Sequence, residues 1–282
     1  MLGVDVGSDG VTTATVGVRY VTSPDGRVTL VAQTTRNGGQ IAGLARLRGN
    51  FTIPAVAYDS SASGLSADGR TLVLIEPRQS FPRASTTFAV LDAPRLRVMR
   101  IFTLRGDFSF DALSPGGSTM FLVQYLSPSD PDRYAVRAYD LASRHLLSRP
   151  VVDPRERGAE MRGKPLTRTT SADGRWAYTL YDGGGGTPFV HALDTTTRTA
   201  HCIDLPQLSG NPSLWQLKLA IADRGNALRV GNLLTISTTR FTVLHAQSRS
   251  PVPAIAGGSV LLVLLLALVF RRAVRQGSVS SP

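Results

Sequence analysis

Four histidines, one cysteine and twenty carboxylates are the groups with which this chain could do chemistry. The pair with the most telling spacing is His191 and His201, which flank an Asp194 to Arg198 turn, with Asp204 nearby. In a hairpin centred on Thr196 the two imidazoles would face each other across the strands. Two histidines on one face could begin a metal site, but no third ligand is evident, so a surface cross-strand pair is expected and no metal is assigned. Gly183 to Gly186 has the composition of a phosphate cradle. It precedes Thr187-Pro188 and a further strand rather than a helix, which is the wrong setting, so a hairpin loop is expected. Ser66, Ser114 and Ser171 sit in turns, and no Gly-x-Ser-x-Gly elbow occurs. Trp176 and Trp215 read as core residues. The lone Cys202 excludes an internal disulfide and a cysteine-based zinc site. No catalytic residue and no cofactor is therefore assigned. What remains is a charged, glycine-bearing insertion over 153–164, expected to be a mobile loop on one rim. Its Asp153, Arg155, Glu156, Arg157, Glu160, Arg162 and Lys164 are the candidate binding residues.

The elements that would carry such a loop are set by a repeat. Ser23-Pro-Asp-Gly26, Ser66-Ala-Asp-Gly69, Ser114-Pro-Gly-Gly117, Ser171-Ala-Asp-Gly174 and the looser Ala222-Asp-Arg-Gly225 are turn signals, and each precedes an apolar or β-branched run. A second landmark follows: a short strand ending in Asp, then Arg. The copies are Asp92 and Arg95, Asp140 and Arg144, Asp194 and Arg198, and, with His replacing Asp, the run Phe241 to His245 and Arg249. The period is near fifty residues, which suits a four-stranded propeller blade.

These residues, Ser-x-Asp-Gly-Arg-x-Leu-Val and then a strand ending Asp-x-x-x-Arg, resemble the YVTN and WD40-like β-propellers of bacterial surface and periplasmic proteins, over Ser23 to Arg249. The resemblance implies an all-β, propeller-like body of four-stranded blades. We expect five, or six if residues lie upstream, with a pair of β-sandwiches as the alternative. The run Thr12 to Tyr20 is expected to complete the last blade, which otherwise has little room for an outer strand.

After this body (1–249) and a proline-containing linker (250–253), residues 254–270 form an uncharged apolar stretch that as a helix rises ~26 Å, enough to span a bilayer. Arg271, Arg272 and Arg275 follow at once. The positive-inside rule puts the short basic tail (271–282) in the cytoplasm and the body outside, a single-pass protein of the cell membrane. Residues 1–10 show no basic, apolar export signal, so the true start is expected upstream of Met1. The formal net charge is +11, but the basic residues are nearly all Arg and scattered singly, with only Lys164 and Lys218 as lysines. No nucleic-acid partner is expected. The expected partners are the bilayer, through 254–270, and an envelope protein or polymer.

The function expected on these grounds is a non-catalytic binding or scaffold module. The alternatives are a lyase- or cofactor-type propeller enzyme with its site at a central channel, and a single-span sensor coupled to a cytoplasmic partner. Topology is open to direct measurement. Protease added to intact spheroplasts should remove the body and spare a tag fused after Pro282; a protected body with a cleaved tag would reverse the orientation.

Overall fold

Thr71 to Ile75 reads Thr-Leu-Val-Leu-Ile, an apolar run without polar alternation. Such a run needs cover on both faces. In the computed structural model, which describes residues 8–14, 17–37, 39–156 and 160–246, all five residues of this strand are buried. Leu72 and Leu74 pack to one side with Ala89 and Leu91. Val73 and Ile75 pack to the other with Phe88 and Val90. The sheet that holds this strand is thus a slab between two neighbours.

Five antiparallel sheets follow one another along the chain. Sheet I is β1 (Val18–Pro24), β2 (Val28–Thr35) and β3 (Ile41–Arg48). Sheet II is β4 (Thr71–Ile75), β5 (Ser85–Asp92) and β6 (Arg97–Arg105). Sheet III is β7 (Phe108–Leu113), β8 (Thr119–Tyr125), β9 (Arg133–Asp140) and β10 (His145–Leu146), with β11 (Met161–Arg162) added to β9. Sheet IV is β12 (Pro165–Thr170), β13 (Trp176–Tyr181), β14 (Phe189–Asp194) and β15 (Thr199–Asp204). Sheet V is β16 (Leu219–Ala222), β17 (Ala227–Val230), β18 (Leu234–Ser237) and β19 (Thr242–Ala246). In sheets I and II the leading strand shrinks to one bridge, Val11 with Tyr20 and Leu65 with Leu72. Apolar clusters join I to II, II to III, III to IV and IV to V. The body is all-β and propeller-like. Among the described residues no helix is long and apolar enough to cross a membrane, and the apolar stretch 254–270 lies outside them.

The repeated turns have a hydrogen-bond logic. Ser66 Oγ donates to Asp68 Oδ1 at 2.6 Å and accepts the Thr71 N–H at 2.9 Å, while Asp68 accepts the Arg70 N–H. Ser171, Asp173, Arg175 and Trp176 repeat the pattern. Ser114, with Gly116 where the Asp would stand, keeps the bond from the Thr119 N–H. The second landmark works likewise: the Asp194 carboxylate accepts the N–H groups of Thr196 and Thr197, and Asp140 that of Ser143. Four residues on from these strand-ending positions, Leu96, Arg144, Arg198 and Phe241 take φ of 51°, 63°, 60° and 54°.

That series corrects two expectations. The residue equivalent to Asp194 in sheet V is Ser237, whose Oγ accepts the Arg240 N–H. The Phe241 to His245 run belongs to the outer strand β19, paired with β18, so the last sheet completes itself. The loop between β17 and β18 is short, and an apolar outer strand has the same local pattern as an inner one. Thr12 to Tyr20, for its part, does not close sheet V. Its described end enters β1, which pairs with β2.

A further element was not foreseen. Residues 52–65 form a hairpin, with Thr52 bridged to Ile75 and Ala55 to Ala62. Its tip reaches sheet IV, where the Tyr58 and Asp59 N–H groups donate to the Pro165 and Leu166 carbonyls at 2.9 and 3.2 Å. The leading strand β12 is thereby covered on its open edge.

Gly174 has φ +74°, and an added Cβ would lie 2.5 Å from Ala67 Cβ; at Gly26, φ +91°, it would meet nothing within 4 Å. Gly26→Ala should therefore cost about 1 kcal/mol from backbone strain alone. Gly174→Ala should cost clearly more, read as a larger drop in melting temperature; equal drops would mean that the sheet-to-sheet contact carries no weight.

Candidate functional site

Because the strands alternate in direction, the turns at Ser66, Ser114, Ser171 and Ala222 and the Asp landmarks lie at one end of the sheets, whereas Ser23–Gly26 joins β1 to β2, the second and third strands of its sheet, and lies at the other end, which corrects its place in the repeat. The β8–β9 and β13–β14 loops and the connections between sheets lie at the other. The 153–164 insertion is one of these connections, and its described residues are strapped down rather than free. Asp153 is 3% exposed and accepts the Arg155 guanidinium at 2.6 Å and the Cys202 N–H at 2.9 Å. Burial opposes ionisation of this carboxyl, but the bonds from Arg155 and the backbone outweigh it and hold the pKa well below the carboxylate range. Arg155 also donates to the Cys202 carbonyl. Glu156 is raised by burial and by the nearby Asp153 and Asp204 charges. Arg157 lies outside the described residues. Glu160 receives a bidentate bond from Arg133, at 2.8 and 2.7 Å. Arg162 meets Asp130 at 3.4 Å and Lys164 meets Asp132 at 3.1 Å. Where described, this rim is a strand pair with two ion pairs to the β8–β9 loop and a third to Arg133 at the start of β9.

The candidates divide between two hollows. Asp153, Glu156, Glu160 and Arg162 line a groove of about 180 Å³ with His191 and Cys202. Lys164 lines a separate cavity. The glycine run is a hairpin turn, as expected: Asp182 Oδ1 accepts the Gly184 N–H at 2.9 Å and the Lys164 N–H at 2.7 Å, which ties this turn to the insertion.

The histidines do not face each other. The register pairs His191 with Cys202 and Ala192 with His201, one residue away from the expected centre, and a one-residue slip sends a side chain to the opposite face. His191 is buried, and desolvation lowers its pKa to about 4. His201 stacks on Phe241 at 3.9 Å. Among the described residues no group of three or more His, Cys, Asp or Glu is placed to hold a metal ion. Trp176 packs against the core as expected. Trp215 does not: it is 49% exposed, its ring edge-on to Tyr58 at 5.6 Å.

The second hollow, about 250 Å³, lies between the leading strands β7 and β12 and the hairpin tip. Sequence reading passed over it. Val56, Tyr58, Tyr125, Tyr134 and Tyr181 line it, with Asp111, Asp132 and Lys164. Asp111 is the bulged residue of β7 and is 2% exposed. Arg168 of β12 donates to its Oδ1 and to its carbonyl. The Tyr134 hydroxyl donates to the Gly163 carbonyl at 3.1 Å, and burial raises the pKa of both Tyr134 and Tyr181. The available signal was a charged residue inside each of two strand-like runs, Phe-Ser-Phe-Asp-Ala-Leu and Pro-Leu-Thr-Arg-Thr-Thr.

No protein-family model matches the chain. No curated protein matches it in sequence. Solved structures do resemble it in fold. A functionally unknown protein from Desulfotomaculum acetoxidans aligns with a TM-score of 0.50 at 14% identity, over 86% of this chain and 70% of its own. The β-propeller domain of Cps50 (Swd1) from Myceliophteria thermophila aligns with a TM-score of 0.47 at 12% identity, over 84% and 64%. The Dos1 propeller gives 0.48 at 11% identity, over 86% and 59%.

Proposed function

We propose that this chain is a membrane-tethered, extracytoplasmic propeller of five four-stranded blades that binds a partner at the loop end of its blades and does not catalyse. The observation that carries the reading is the rim itself. The insertion, the β8–β9 loop, the glycine turn and the hairpin tip meet at one end, and four ion pairs lie among or beside them: Arg133 with Glu160, Arg162 with Asp130, Lys164 with Asp132 and Lys218 with Asp59. A surface whose charges already have partners is pre-ordered, so little conformational entropy is lost when a macromolecule docks. Exposed pairs of this kind add little stability, which leaves shaping the rim as their main effect. The tether rests on the uncharged stretch 254–270 and the arginines after it.

The test uses the full chain in its native membrane. Crosslinking with mass spectrometry should capture one reproducible envelope protein or polymer. The double variant Arg162→Glu, Lys164→Glu should lose it while keeping the wild-type melting temperature. Unchanged capture by that variant would remove the rim from recognition. Turnover of a small substrate by the purified chain, abolished by one change in the Asp111 cavity, would replace binding with catalysis.

A further inference from the structure

We propose that a third hollow, the groove along the outer edge of sheet III, binds an anionic amphiphile, with its acidic head on Arg149 and Arg198 and its aliphatic chain on an apolar floor. This goes beyond the rim reading above and does not rest on it.

The first observation is unbalanced charge. The groove measures about 670 Å³, and its charged lining is Arg137, Arg149, Arg198 and one carboxylate, Glu160. That carboxylate is committed: Glu160 holds Arg133 through both oxygens, at 2.8 and 2.7 Å. Arg137 donates to neutral acceptors only, the Gln124 side-chain oxygen and the carbonyls of Leu147 and Ser148. The Arg149 and Arg198 side chains are exposed and, among the described residues, make no hydrogen bond or ion pair. Asp140 senses the Arg198 charge, but its carboxylate accepts from Ser143. Three guanidinium groups thus share one groove without a carboxylate of their own. Guanidinium forks match carboxylate and phosphate oxygens in geometry as well as in charge, whereas an incoming cation would be repelled.

The second observation is the floor. Val136 and Val151 are buried there, and Val152, Met161 and Leu126 extend the apolar surface, the last of them 45% exposed. Covering that surface is favourable in proportion to the area removed from water. The volume lies within the ~300–1,000 Å³ of small-molecule sites. A head that carries charge and a body that carries none are what such a lining selects.

The third observation is the backbone, which decides between an aliphatic chain and an acidic peptide. The outer edge of β9 is already taken. Tyr134 pairs with Met161 of β11, and the Val151 and Leu147 N–H groups donate to the Val136 and Ala138 carbonyls, each at 2.8 Å. On the sheet IV side the Val152 carbonyl accepts the Ala200 N–H at 3.4 Å. A peptide laid along β9 would find no row of free N–H and C=O groups and would bury its own unpaired. An aliphatic chain has no such groups to satisfy.

The experiment is photolabelling of the full chain in its native membrane with a palmitate analogue that carries a diazirine on its chain, followed by mass spectrometry of the labelled peptides. Label is expected on the body, in the peptides that hold Leu126, Val152 and Met161. Excess palmitate should remove it, while hexadecanol and hexadecyltrimethylammonium, matched in chain length, should not. Palmitate competing better than phosphatidic acid identifies a free fatty acid as the source; phosphatidic acid competing as well or better identifies a membrane lipid. Arg149→Glu with Arg198→Glu should cut body labelling tenfold or more at an unchanged melting temperature. Val152→Trp, which narrows the groove without a change of charge, should do the same. Arg229→Glu with Arg240→Glu on sheet V, an equal change of charge outside the groove, should leave labelling intact. Four outcomes overturn the proposal. They are label confined to the stretch 254–270, equal competition by hexadecanol or the ammonium, body label that persists in either folded groove variant, and displacement of the probe by an acidic leucine-rich peptide as readily as by palmitate, which would make the occupant a protein segment.

Discussion

The burial of the middle sheets on both faces is the constraint on which this structure depends. A strand such as β4 offers alternate side chains to two different cores, so no sheet of the body buries its apolar surface by itself. Leu72 and Leu74 belong with sheet I, Val73 and Ile75 with sheet III. Removing one sheet would expose half of each neighbour, at roughly 25 cal/mol for every Å² uncovered. Stability is therefore shared along the series, as in repeat architectures where the units support one another.

Much of this was legible because it is local. A Ser-x-Asp-Gly turn folds by bonds spanning five residues, and a strand-ending Asp caps the two or three N–H groups after it. Both leave a mark in a short window of sequence. The errors arose where the window ran out. Phe241 to His245 resembles an inner strand because an apolar outer strand looks the same one repeat later; only pairing with β18 tells them apart. The histidines were misplaced by one residue, since the exact length of a turn fixes which face a side chain takes. The hairpin 52–65 docks through backbone groups on a strand a hundred residues away, which no side-chain pattern announces.

The two hollows differed in legibility for the same reason. Every described member of the charged insertion was visible as a charge, but its partners Asp130, Asp132, Arg133 and the Cys202 backbone come from elsewhere in the chain. The sequence shows that charge is present and not whether it is already spoken for. The Asp111 cavity was overlooked because its tyrosines and valines are drawn from four segments. Its one overt clue, a carboxylate in the middle of a buried strand, depends for its meaning on Arg168 fifty-seven residues later.

The clamp of Asp153 on β15 bears on the single thiol. Arg155 and Asp153 both bond to the backbone of Cys202, and burial pushes the Cys202 thiol up to about 12. Held protonated, that sulfur is a poor nucleophile, because thiolate is the form that reacts. The protection is one of protonation and not of access: Cys202 is only half-buried and lines the groove beside Asp153, so exchange with small disulfides is slowed by the scarcity of thiolate while the sulfur stays within reach.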